Sequence, residues 1–226
     1  MKKISIFLIA IFSLTNIFGQ SSLEGDVNVF NPITTGVPFL SIAPDARGGA
    51  MGDVGAATSP DAYSQYWNPS KFAFIDGAGG VSLSYTPWLR KLVKDIDLAY
   101  LSGYYKIADI QTVSASLRYF SLGEVMIRKD ATSPAITAKP YDLAVDASYA
   151  RILAENFSMG VTLRFIYSDL LGGAPVEEAE SLTPGAAVAA DISAFYSSPV
   201  VFPEGEGFAR GGLNISNIGS KLSYGD

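Results

Sequence analysis

Residues Gln111–Phe120 read Q-T-V-S-A-S-L-R-Y-F, and their alternation decides the fold. Val113, Ala115, Leu117 and Tyr119 fall on one face of an extended chain, and Thr112, Ser114, Ser116 and Arg118 on the other. The pattern returns along the chain. Val81, Leu83 and Tyr85 alternate with Ser82, Ser84 and Thr86; Ile96, Leu98 and Tyr100 with Asp95, Asp97 and Ala99. Leu143, Val145, Ala147 and Tyr149 alternate with Asp142, Asp146 and Ser148. Met159, Val161, Leu163, Phe165 and Tyr167 alternate with Gly160, Thr162 and Arg164. A small-residue strand carries Ala186, Val188, Ala190 and Ile192, and a last one sets Leu213 and Ile215 against Asn214 and Ser216. A soluble sandwich alternates in the same way. Aromatic residues near the strand ends, together with the start of the chain, favour a transmembrane barrel, apolar toward lipid and polar toward its lumen.

The chain opens with Met1-Lys2-Lys3, an apolar run over Ile4–Leu14, and a small residue at Gly19. This is the form of a secretory signal, residues 1–19, cut after Gly19. The apolar run is too short for a membrane-spanning helix. The chain is 48% hydrophobic, high for an exported soluble protein. A barrel resolves this, because its lipid-facing residues are spread over every second position. The 16 basic residues less Lys2 and Lys3 leave 14 against 22 acidic ones, or −8, which argues against nucleic acid as a partner. The chain has no His and no Cys. Imidazole acid–base chemistry, Ser-His and Cys-His nucleophiles, disulfides and Cys or His metal sites are therefore excluded. No cofactor is expected.

Three segments follow: the signal at 1–19, an arm and N-terminal plug at 20–78, and barrel strands at 79–226. The stretch Gln20–Phe39, broken by Pro32, Gly36 and Pro38, reads as an extended periplasmic arm. Asp61–Trp67 reads as a short helix stopped by Asn68-Pro69. Long connections are expected at Trp88–Lys94, Ser121–Pro140 and Asp169–Thr183, and short ones at Ala108-Asp109 and Glu155-Asn156. Short turns face the periplasm and long loops the exterior. The Ser197–Glu206 connection is longer than this rule expects. Seven strands are expected, whereas bacterial single-chain barrels close with an even number. The sequence thus reads as the N-terminal portion of a longer protein.

Gly48-Gly49-Ala50-Met51-Gly52-Asp53-Val54-Gly55 lacks the Lys-Ser/Thr pair of a phosphate-binding loop, and is read as close backbone packing. Asp95, Asp97, Asp142, Asp146, Arg118 and Arg164 are expected on lumen faces, as a salt-bridged network around a plug or as a binding surface. Asp45 and Arg47 are expected to be buried together in that plug. Glu177, Glu178 and Glu180 read as a solvated loop face.

The stretch from Pro38 to Phe74 reads P-F-L-S-I-A-P-D-A-R-G-G-A-M-G-D-V-G-A-A-T-S-P-D-A-Y-S-Q-Y-W-N-P-S-K-F-A-F. It resembles the N-terminal signature of the PorV (LptO) family of type IX secretion outer-membrane proteins, with PorQ as a relative. More distantly it resembles the plug of FadL-type fatty-acid channels. The signature residues are Pro44, Asp45, Arg47, Gly49, Gly52, Asp53, Trp67, Asn68 and Pro69. The resemblance implies an all-β, FadL-like antiparallel barrel of about fourteen strands, half of them present here. It also implies a non-enzymatic role in the lipid bilayer of the cell outer membrane. Such proteins bind the C-terminal domain of secreted cargo and carry it from the type IX translocon barrel to an attachment complex with a PorU-type sortase. A channel for hydrophobic small molecules is the alternative. Candidate partner contacts are Val125, Met126, Ile127, Leu170, Leu171 and Val176, apolar residues in the long loops.

Overall fold

The computed structural model describes residues 37–87, 91, 95–128, 135–173, 183–203 and 205–224. The signal, the arm up to residue 36, and Val176 with Glu177, Glu178 and Glu180 lie outside them. After a plug of short helical turns come β1 (Gly79–Pro87), β2 (Ile96–Ala108), β3 (Gln111–Leu122), β4 (Val125–Ile127), β5 (Ile136–Ala138), β6 (Tyr141–Ala154), β7 (Phe157–Asp169), β8 (Gly185–Phe202) and β9 (Gly205–Gly219). Seven of them form one antiparallel sheet in the order β1-β2-β3-β6-β7-β8-β9, each strand beside its neighbour in sequence. The sheet is curled into a half-barrel. The other two strands, β4 and β5, pair as a small hairpin inside the β3–β6 connection.

The sheet is inside-out relative to a soluble protein. Arg118 is 4% exposed, whereas the adjacent Leu117 is 42% exposed. Along β3 the polar Thr112, Ser114, Ser116 and Arg118 are buried and the apolar residues between them are open. The same holds on β7 for Ser158, Thr162, Arg164 and Ser168 against Met159, Val161, Leu163 and Phe165. Strands β3, β6 and β7 have 12, 14 and 13 residues. That exceeds the roughly ten that a tilted strand needs to cross a bilayer. On the outward face Tyr119, Tyr141 and Tyr167 form a row near the long connections, with ring centroids 5.8 and 6.1 Å apart. Tyr105, Tyr149 and Tyr196 occupy the outward face near the short turns. Two aromatic rows flanking an apolar band are the girdles of a membrane barrel. No helix among the described residues is long and apolar enough to cross a membrane.

Pairing is in register, so the concave face is built in rows. One row runs Tyr100, Arg118, Ala144, Ile166 and Ala187; the next, Ser102, Ser116, Asp146 and Arg164. A third runs Tyr104, Ser114, Ser148, Thr162 and Asp191.

Three expectations are corrected. On β2 the faces are reversed: Leu98 and Tyr100 are buried inside, and Asp97 faces outward opposite Pro87. Asp97 sits at the strand end, where its carboxylate accepts from the Tyr85 hydroxyl at 2.6 Å. The inner position suits Tyr100 because its ring stacks on plug Tyr63 at 6.5 Å. Second, Ser197–Glu206 is not a loop. Strand β8 runs through Pro199 to Phe202 and pairs with β9 down to Gly205. Pro199 is tolerated there because β7 pairs only as far as Tyr196, so Pro199 lies beyond the edge that needs its N–H. Third, Phe39 is not part of an extended arm but is buried against the concave face.

The inside-out pattern predicts opposite responses from neighbouring positions. Leu117→Arg should destabilise the protein refolded into lipid vesicles by about 2–4 kcal/mol, as measured by denaturant titration. A change within about 0.5 kcal/mol would place Leu117 on a water-facing surface.

Candidate functional site

The concave face is occupied by the chain's own residues 37–76. Pro38 starts a 3-10 turn, Pro38–Ser41. The Asp45 carboxylate then caps α1 (Ala46–Ala50), accepting the Arg47 N–H at 2.8 Å. The helix ends where Gly52 and Asp53 take φ of +83° and +58°, a conformation that glycine adopts without strain. Helix α2 (Ser64–Trp67) stops at Asn68, whose extended backbone is what the following Pro69 requires. Pro69–Phe74 form a second 3-10 turn. Trp67 is wedged between Gly48 and Gly55, where a Cβ would collide with its indole.

Wall hydroxyls and amides hold this plug. Ser102 Oγ donates to Ala62 O at 2.8 Å, Thr112 Oγ1 to Phe72 O at 3.1 Å, and Ser158 Oγ to Ser70 O at 2.8 Å. Ser114 Oγ donates to Gln65 Oε1 at 2.6 Å, and Gln65 Nε2 donates to Ser148 Oγ at 2.8 Å. Asn68 Nδ2 donates to Ala56 O and, across the interface, to Ala194 O at 3.0 Å, while the Ser70 hydroxyl donates to Asn68 Oδ1. Asn214 Nδ2 donates to Trp67 O at 3.2 Å. Glycine permits the close approach: a Cβ on Gly160 would meet the Ser70 backbone, and one on Gly212 the carbonyl of Ala56. Each such bond is worth about 1 kcal/mol net, and a buried hydroxyl left unpaired costs more than that.

The charges are placed by the same rule. Arg164 bonds Asp146 at 2.7 Å and Asp191 at 3.0 Å, with side chains 8%, 8% and 3% exposed. A bulge opposite Ala190 and Ile192 brings in Asn217 at φ +62°; its amide oxygen accepts from Arg164 at 2.6 Å. Arg118 has a different role. It donates to the carbonyls of Phe39 and Leu40 at 3.2 and 2.9 Å and lies over the rings of Tyr66 and Tyr100. Lys71, fully buried, donates to Gly55 O at 2.9 Å and Thr58 Oγ1 at 3.0 Å. Burial lowers its pKa from 10.5 to about 8, partly opposed by Asp61.

The residues singled out from sequence divide into two groups. Pro44, Asp45, Asn68 and Pro69 are buried, and Trp67 Nε1 donates to Asp45 at 3.2 Å. Arg47 is not buried with Asp45: its side chain is 52% exposed and pairs with Asp61 at 3.2 Å. The reason is local, since the cap bond uses the Arg47 backbone and leaves its side chain pointing outward to Asp61 and Ser59. Gly49, Gly52 and Asp53 are exposed; the tight glycines are Gly48 and Gly55. At the end with the long connections, Val125, Met126 and Leu170 are exposed, Met126 by 75%, and Ile127 and Leu171 half-buried. Gln65, Lys71, Asp191 and Asn217 carry plug or lumen contacts that the strand pattern does not single out. Gln65 and Lys71, polar residues among aromatics in the plug, were the available signal.

Arg164→Met should cost roughly 3–5 kcal/mol of stability, because it strands two buried carboxylates. Adding Asp146→Asn and Asp191→Asn should recover most of the loss; no recovery would mean that shape and not charge decides. Lys71 predicts a pH effect. The unfolded chain binds more protons than the folded one between about pH 8 and 10.5, so stability rises with pH across that window. Denaturant midpoints at pH 7.5 and 9.5 should differ in that sense for the wild type and not for Lys71→Met.

The model of a family described as type IX secretion system protein PorV matches residues 26–226. No curated protein matches the chain. The family match spans the plug and every strand, and the chain belongs to the PorV family of type IX secretion system proteins.

Proposed function

We propose that this protein is a non-enzymatic carrier of the outer membrane. It binds the C-terminal domain of secreted cargo and passes it from the translocon barrel to the surface attachment complex with its PorU-type sortase. The observation that carries this reading is the occupied concave face. Its middle rows are Ser and Thr already bonded to the chain's own plug, and Asp and Arg already paired with one another across the wall. A channel for hydrophobic small molecules needs an apolar lumen cavity with a few placed polar groups. A large apolar groove, about 740 Å³ and lined by Val81, Leu101, Gly103, Val113, Ala115 and Val145, lies instead on the outward face. The binding surface is then the rim with the long connections, which faces the exterior in this reading. There the β4–β5 hairpin presents Val125 and Met126. Exposed apolar residues gathered at a mouth suit contact with a β-domain or a partner barrel.

Replacing residues 123–139 or 170–183 by short turns should leave the protein folded, inserted and heat-modifiable on gels. Cargo should then accumulate in the periplasm or fail to be anchored at the surface. Unaffected secretion with both loops trimmed, together with reduced fatty-acid uptake, would select the channel.

A further inference from the structure

The plug is not held uniformly. From Ala62 to Phe72 it is bonded to β2, β3, β6, β7 and β8 by side chains distributed over several rows. Among the described residues, the preceding strap, Val37–Ile42, is bonded to the wall through one residue, Arg118, whose guanidinium donates to two successive backbone carbonyls. Its other hydrogen bonds are internal or to plug Tyr66. The Phe39 ring is stacked on Phe120 at 6.4 Å, 6° from parallel. It fills a recess walled by Ala144, Ile166 and Ala187, with Leu222 against it. This recess is an apolar part of the concave face at the end with the long connections; a second apolar cluster, around Phe72, Ala73 and Ala150, lies towards the short turns.

Peptide-binding grooves combine main-chain hydrogen bonds with a pocket for a side chain, and this aromatic slot beside a cation that grips consecutive carbonyls offers both. We propose that the recess is a peptide-binding site held closed in cis by Val37–Ile42, and that it accepts an uncharged aliphatic–aromatic peptide segment of a partner. The seated segment, Pro38-Phe39-Leu40, defines the chemistry of that partner: one aromatic ring flanked by apolar residues, with two successive carbonyls turned to the cation. No carboxylate pairs with Arg118 among the described residues, so neutral carbonyl oxygens are what it holds. A cis ligand lowers apparent affinity by the fraction of time that it occupies the site, which makes the site accessible mainly to partners present at high local concentration. Placing the partner at the translocon or on cargo rests on the carrier function proposed above; the site itself does not.

The chain has no cysteine, so a single cysteine reports on the recess. Ala187→Cys is introduced into the whole protein in lipid vesicles and treated with a water-soluble maleimide. With the strap seated, labelling should be slow. Arg118→Met, which removes both charge-assisted bonds, should speed it by about tenfold or more. Phe39→Ser should do the same without touching the wall, and serves if Arg118→Met fails to fold. The capped peptide Val-Pro-Phe-Leu-Ser-Ile should slow labelling of the Phe39→Ser variant, and the same peptide with Ser for Phe should not. Equal labelling in all variants, or no protection by the peptide, overturns the proposal. Cargo retention in the same strains is scored separately, so failure of the carrier function is distinguishable from failure of the site.

Discussion

Everything in this molecule depends on the need to pair polar groups on the inside of a sheet whose outside is apolar. A soluble sheet turns its serines to water. Here Ser102, Thr112, Ser114, Ser148 and Ser158 turn inward, and each is bonded to the plug. The plug needs those hydroxyls as much as they need it, because carbonyls of its short helical turns, such as Ala62, Ser70 and Phe72, accept from them. Hydroxyl and carbonyl therefore satisfy one another, and the plug is the core that a soluble protein would build from leucine. Small side chains follow from this. Small residues let wall and plug backbones approach closely, as Gly160 does beside Ser70 and Gly212 beside Ala56.

The same constraint sorts the charges by depth. Arg164 is matched by two carboxylates and an amide in the middle rows. Arg118, nearer the long connections, is matched by carbonyls and by tyrosine rings, which stabilise a cation without a carboxylate. Lys71 lies at the other end of the plug, matched by a carbonyl and a hydroxyl. The inner charges are thus paired within the protein itself. This directs attention to the rim and the outward face, where apolar side chains are unpaired. Membership of the PorV family is consistent with a molecule whose work is contact with other proteins.

The fold was legible wherever one face of a strand was consistently small and polar. Strands β3 and β7 meet that condition, and their faces are as read. Strand β2 does not. Its inner face carries Leu98 and Tyr100 because the plug presents aromatic Tyr63 there, so the polarity of Asp97 and Leu98 points to the wrong phase. The β8–β9 hairpin is harder to read, because Pro199 interrupts the strand pattern and only the register shows that it lies beyond the end of the β7 pairing. Hairpin β4–β5 has three residues per strand, too few for a period to register. In the plug, glycine content announced close packing but not which glycines touch Trp67. Arg47 was assigned to the interior by its neighbours Asp45 and Gly48, although a backbone cap bond leaves its side chain free to turn outward.

The central claim is that the even-numbered positions of β3 face an occupied interior and the odd-numbered ones face lipid. The absence of cysteine makes a spin-label scan across residues 112–118 direct. In vesicles, labels at 113, 115 and 117 should collide readily with dissolved oxygen and poorly with a water-soluble nickel chelate. Labels at 112, 114, 116 and 118 should be shielded from both, because the plug fills the space beside them. Nickel accessibility at the odd positions would contradict the membrane-facing sheet, and nickel accessibility at the even positions would show an open, water-filled lumen in place of a plugged one.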